Sequence, residues 1–107
     1  MYKLVFFVPE SHLEEVKAAV FAAGAGKTGN YDQCCWQVQG QGQFRPLAGA
    51  NPYFGKTDEL ACLPEYRVEM VCCDEYIRAT IAALHAAHPY EEPAFDLSLL
   101  VNSEDLQ

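Results

Sequence analysis

The chain has 107 residues, a formal net charge of −8, and a composition that is 50% hydrophobic and 21% charged. That content supports one packed core, excludes a disordered chain and fits a single domain over residues 1–107. Seven basic against fifteen acidic residues exclude nucleic-acid binding as the main role and disfavour an anionic membrane surface. The imbalance is local. Residues 1–53 carry four basic and four acidic side chains, whereas residues 54–107 carry three and eleven.

Nothing in the sequence approaches the roughly 18 apolar residues of a membrane span. Residues 1–9 are apolar but lack a small-residue cleavage site, so they predict a buried strand rather than a signal peptide. The five cysteines are odd in number, and four stand in adjacent pairs, Cys34-Cys35 and Cys72-Cys73. Neighbouring strand residues face opposite ways, so reduced thiols and a cytoplasmic protein are the expectation.

Residues 2–8 form a near-continuous Val- and Phe-rich run, the pattern of a central strand ended by Pro9. Ser11, three residues before Glu14, predicts a capping box opening a helix. Leu13, Val16, Val20 and Ala23 keep helical spacing until Gly24 and Gly26 stop it. Residues 31–39 predict a second strand, with Cys34, Trp36 and Val38 on one face and Gln33, Gln37 and Gln39 on the other.

Glycines and prolines punctuate residues 40–64, predicting a long connection with a short strand near 43–46. Residues 65–73 predict a third strand. Asp74 then predicts a cap for a helix presenting Ile77, Ile81 and Leu84, ended by His88-Pro89. Residues 94–101 predict the fourth strand, and 102–107 a flexible polar tail.

A shift of 64 residues lays Leu13 on Ile77, Val20 on Leu84 and Tyr31-Asp32 on Phe95-Asp96. Repeat and element order together predict an α+β, ferredoxin-like β-α-β-β-α-β sandwich, with both helices on one face of an antiparallel sheet. The other face is then uncovered. It would carry alternate residues of the first strand and the glutamine-bearing strand, which implies an oligomer with a partly polar interface.

Two segments carry a family resemblance. His88-Pro89-Tyr90-Glu91-Glu92-Pro93, followed by Ala94-Phe95-Asp96-Leu97, resembles a segment of CutA-type proteins, and resembles more closely the inserted domain of the Nif-three-like (YqfO-type) family. Gly24-Ala25-Gly26 through Gly29-Asn30-Tyr31, Cys34, Gly40-x-Gly42-x-Phe44-x-Pro46, Gly49-Ala50-Asn51-Pro52, Gly55, Glu65 and Arg67-Val68-Glu69 resemble the same insert. The resemblance implies a CutA/PII-like subunit assembled as a homotrimer, with the insert occurring alone. The metal-binding domain that flanks the insert in full Nif-three-like proteins has no counterpart in these residues, so its ligands and chemistry do not carry over.

His85, His88, Glu91 and Glu92 form the densest set of metal-competent side chains and suit a divalent ion. Against this stands a structural role, with His88 at a helix C-terminus and two prolines shaping a rigid turn. The cysteine pairs would suit a soft ion if they met across the sheet, against a plain reading as small buried hydrophobes. The resemblance implies that the 40–64 connection is a mobile loop that binds ligands or partners between subunits, against a plain reading as an extended hairpin that clasps the neighbouring subunit. Arg45, Asn51, Lys56 and Tyr90 are the candidate ligand-binding residues, alongside the aromatic Tyr53 and Phe54. Gly24 to Gly29 lacks phosphate-loop spacing, and no catalytic set is recognisable.

The expected function is a trimeric binding or regulatory module taking a small ligand or a protein partner at subunit clefts formed by the 40–64 connection and the His88–Pro93 turn. A CutA-type metal-binding or tolerance protein is the first alternative, and a structural oligomerisation module the second.

Overall fold

In the computed structural model, which describes residues 1–106, strand β1 (Tyr2–Pro9) runs into a 3-10 turn (Glu10–His12) and helix α1 (Leu13–Ala22). Strands β2 (Trp36–Phe44) and β3 (Ala61–Cys72) form a long hairpin. A second 3-10 turn (Asp74–Tyr76) leads into helix α2 (Ile77–Ala87), and β4 (Phe95–Leu99) completes the sheet. The sheet is antiparallel throughout, in the order β2-β3-β1-β4. The architecture is the expected α+β sandwich.

Alternate residues of the two central strands make the core. Leu4, Phe6 and Val8 of β1 and Val68, Met70 and Cys72 of β3 pack with Val16 and Val20 of α1 and Leu84 of α2. Each Val, Leu, Phe or Met side chain among them contributes about 1.5–3 kcal/mol by leaving water. Both helices therefore lie against one face. Cys72 belongs to this core and contacts Thr80 through its sulfur, 3.5 Å from the hydroxyl.

Several boundaries differ from the sequence expectation, each for a local reason. Ser11 does not cap α1. A 3-10 turn precedes the helix, and the Ser11 hydroxyl lies 2.8 Å from His12 Nδ1. Asp74 likewise caps nothing, since its carboxylate pairs with the Met1 amino group. Strand β2 starts at Trp36 rather than at residue 31, because the Gly26 N–H takes the Val71 carbonyl at 2.8 Å and occupies that edge of β3. Strand β3 starts at Ala61 and includes Pro64 opposite Gln41. Beyond the end of β1 the hairpin is two-stranded, where a missing N–H is tolerated. Ser103–Leu106 forms an exposed 3-10 turn, and residue 107 of the expected tail lies outside the described residues.

The uncovered face also differs in composition. Gln37 stands opposite the core residue Val68 and accepts from Lys17 Nζ of α1 at 2.9 Å, so the glutamine row lies on the helix side. The open face carries Trp36 and Val38, which are 58% and 44% exposed, opposite Glu69 and Arg67. It is the more apolar of the two β2 faces.

Candidate functional site

Past the C-terminal end of β1 the chain contributes two irregular segments, the connection 45–60 and the turn 88–94. They enclose a cavity of about 290 Å³ together with Phe7 of β1, Phe44 of β2 and Glu65 of β3. The connection supplies Pro46, Ala50, Pro52 and Tyr53, and the turn supplies Tyr90, Glu91 and Glu92. A cross-link joins the segments, because the Asn51 N–H donates to Glu91 Oε1 at 3.0 Å.

His88 organises the turn. Its Nε2 lies 2.7 Å from the Phe7 carbonyl oxygen, and the Tyr90 N–H points at its Nδ1 at 3.1 Å. A carbonyl only accepts and a backbone N–H only donates, so the ring is neutral with its proton on Nε2. Burial agrees, lowering the His88 pKa more than the Phe7 carbonyl and the Glu65 charge raise it. Turn and strand are thereby fixed together by one imidazole.

The next ring continues the chain of contacts. Tyr90 lies 4.9 Å from the His88 ring, and its hydroxyl donates to Glu65 Oε2 at 2.7 Å. Burial, followed by the Glu65 carboxylate, raises the phenol pKa above its ordinary value, so Tyr90 remains a neutral donor. Phe44 and Tyr53 flank Tyr90 with ring centroids 5.9 and 6.1 Å away. Tyr53 is braced in turn by His12, whose ring meets it edge-on at 5.4 Å.

Of the four candidate ligand residues, Tyr90 lines the cavity and Asn51 ties its wall. Arg45 is exposed outside it, and Lys56 lines a separate shallow depression with Phe54 and Leu60. The four candidate metal ligands do not converge. His85 is exposed with its ring against Phe95, both nitrogens of His88 are hydrogen-bonded, and Glu91 holds Asn51. No group of three or more His, Cys, Asp or Glu side chains gathers at one point among the described residues.

Cys34 and Cys35 precede β2, while Cys72 faces the core, so the pairs do not meet across the sheet as a soft-ion site would need; the plain reading as buried hydrophobes holds for Cys72 but not for the exposed Cys35. Phe7, Phe44 and Glu65 were hidden in the sequence. They sit in strand patterns that read as ordinary packing, and only the mutual register of β1, β2 and β3 brings them to one cavity. No helix among the described residues is long and apolar enough to cross a membrane.

No known protein-family model matches the chain. Among curated proteins it is 50% identical over 99 residues to a Mycobacterium leprae protein named GTP cyclohydrolase 1 type 2 homolog, covering 92% of this chain and 26% of the relative. The Bacillus subtilis protein of the same name is 42% identical over 95 residues, with 89% and 26% covered. The chain thus spans about a quarter of the length of the curated relatives it matches. Among solved structures, a Bacillus cereus protein related to NIF3 superposes with a TM-score of 0.80 at 40% identity, over 94% of this chain and 26% of that one. A PII-like protein CutA from Nostoc gives a TM-score of 0.67 at 16% identity, over 97% and 85%, a likeness of fold alone. The chain is a relative of the CutA/PII-like segment of the Nif-three-like proteins, matching about a quarter of their length.

Proposed function

We propose that the protein is a homotrimeric binding or regulatory module that takes a small ligand between the 45–60 connection and the 88–94 turn. The observation that carries this reading is the aromatic cavity itself. Its walls come from five separate parts of the chain and are tied by Asn51–Glu91 and Tyr90–Glu65. A space of about 290 Å³ fits a small molecule. Tyr90 faces the ligand and the Asn51 backbone holds the wall, whereas Arg45 and Lys56 are exposed outside the cavity.

Self-association rests on the open sheet face. Trp36 and Val38 stand in the edge strand β2, beside the Arg67–Glu69 pair at 3.6 Å. An exposed indole and valine flanked by a charge pair suit a symmetric contact in which polar groups fix the register. Light scattering on the purified protein is expected to give three times the chain mass, and Trp36→Glu to give one. A clean monomer for the unmodified chain at micromolar concentration removes the trimer. A thermal-shift panel of small metabolites tests the ligand, because any native-state ligand raises the melting temperature by mass action. Stabilisation lost in Tyr90→Ala supports the cleft, and the same stabilisation in that variant places binding elsewhere.

A further inference from the structure

We infer that the cavity selects a small organic ammonium cation, held by the rings of Phe44, Tyr53 and Tyr90 and by the carboxylates of Glu65, Glu91 and Glu92. The inference rests on the cleft reading above and names its ligand class.

The ring geometry comes first. Phe44 and Tyr53 stand about Tyr90 at centroid distances of 5.9 and 6.1 Å and interplanar angles of 58° and 45°. The rings are tilted rather than stacked, so their faces are not spent on one another. Aromatic faces carry negative potential and attract a cation within about 6 Å of a ring centroid.

Charge comes second. The ionisable carboxyls of the lining are Glu65, Glu91 and Glu92, and among the described residues no Lys or Arg lines the cavity. An anion would meet like charge. A neutral ligand without hydrogen-bond donors would strip water from carboxylates without replacing it. The acidic excess of residues 54–107, eleven acids against three bases, adds a long-range field of the same sign.

The placement of Glu65 is built into the backbone. Its Oε2 accepts from the Tyr90 hydroxyl at 2.7 Å, and a Cβ on the facing Gly42 would overlap the carboxylate. Glycine at 42 therefore leaves room for an acid at the cavity wall. A bare metal ion fits less well. It needs several oxygens gathered at one point, and no three metal-competent side chains converge among the described residues. An ammonium carrying methyl or methylene groups matches both the ring faces and the carboxylates.

Choline and its uncharged carbon isostere 3,3-dimethyl-1-butanol isolate the charge at constant shape, and 3,3-dimethylbutanoate reverses it. Calorimetric titration of the full chain is expected to show choline binding roughly tenfold or more tighter than the isostere. The butanoate should bind weakest, and the choline preference should shrink as salt rises from about 50 to about 500 mM. Tyr53→Ala, at a half-exposed position, should cost choline several-fold with the fold intact by circular dichroism, and Glu65→Gln should narrow the gap to the isostere. Equal binding of choline and the isostere, or preference for the butanoate, overturns the cation class but leaves the cleft standing if Tyr53→Ala still weakens it. No heat from any of the three up to about 100 mM overturns both.

Discussion

The two halves of the chain enter their helices in the same way and leave them differently. Shifting residues 10–13 by 64 places the 3-10 turn Glu10–His12 on Asp74–Tyr76 and the first residue of α1, Leu13, on the first residue of α2, Ile77. Even the backbone angles repeat. Pro9 and Cys73 have φ, ψ of −66°, 151° and −67°, 152°, and His12 and Tyr76 follow at −120°, 7° and −106°, −5°. Val20 and Leu84 then fill matching core positions, both fully buried.

At the helix exits the match ends. The first half leaves α1 through Gly24 at φ 119°, with the Tyr76 ring packed where a Cβ would lie, and continues into the nine-residue strand β2. The second half leaves α2 through His88 in an extended conformation, makes the 88–94 turn, and continues into the five-residue strand β4. The repeated parts build the core. The parts without a counterpart, namely the hairpin extension, the 45–60 connection and the 88–94 turn, build the cavity.

Core equivalence is the part of this comparison that costs most to break. Leu84→Ala should destabilise by about 3–4 kcal/mol and its counterpart Val20→Ala by about 2–3 kcal/mol in urea titrations. A small loss at only one of them would show that one helix is loosely docked. Next in size is the α1 exit. Gly24→Ala meets both a φ of 119° and the Tyr76 ring 2.5 Å from the new Cβ, and should cost about 2–3 kcal/mol. Gly40→Ala, with open space and no positive φ, serves as the control and should change little.

The α2 exit depends on a titratable group instead. His88→Ala removes the donor to Phe7 and the acceptor for Tyr90 and should cost about 2 kcal/mol at pH 8. Burial holds the native His88 pKa below its ordinary 6.5, so the unfolded chain takes up a proton before the native one does. This contribution is complete above about pH 6.5 and declines as pH falls through that value toward the lower native pKa. Urea titrations at pH 8 and pH 5 should therefore differ more for the unmodified chain than for His88→Ala. An equal difference would show that His88 is not held neutral. The smallest effect is expected from Tyr90→Phe, which loses only the hydrogen bond to Glu65 and should cost about 1 kcal/mol.

The same division explains what the sequence made legible. Periodicity exposes whatever obeys it, so β1, α1, α2 and the core residues Phe6, Val16, Val20, Val68 and Leu84 could be read directly. The repeat pointed to the paired halves. Local capping patterns misled at Ser11 and Asp74, because a 3-10 turn precedes α1 with the Ser11 hydroxyl on His12, and the Met1 amino group pairs with Asp74. The glutamine row suggested a polar outer face, yet the register sets Gln37 opposite the core residue Val68, on the helix side within reach of Lys17, and leaves Trp36 outward.

At the site, Tyr90, Tyr53 and the two acids Glu91 and Glu92 stood out by composition and position. Glu65, Phe44 and Phe7 did not, since nothing local in a strand reveals which residues of the other strands lie beside it. Pro64 read as the end of a loop, although it lies within the hairpin ladder opposite Gln41. Long-range register was the missing information.

The most direct test of the claim that the cavity lies where the halves cease to match is amide chemical-shift mapping of the full chain during titration with choline. The account predicts perturbations concentrated at Asn51, Tyr53, Glu65 and Tyr90, with the repeated positions Leu13, Val20, Ile77 and Leu84 unmoved. Perturbations confined to the repeated core or to the Lys56 depression, or none at any position, would contradict it.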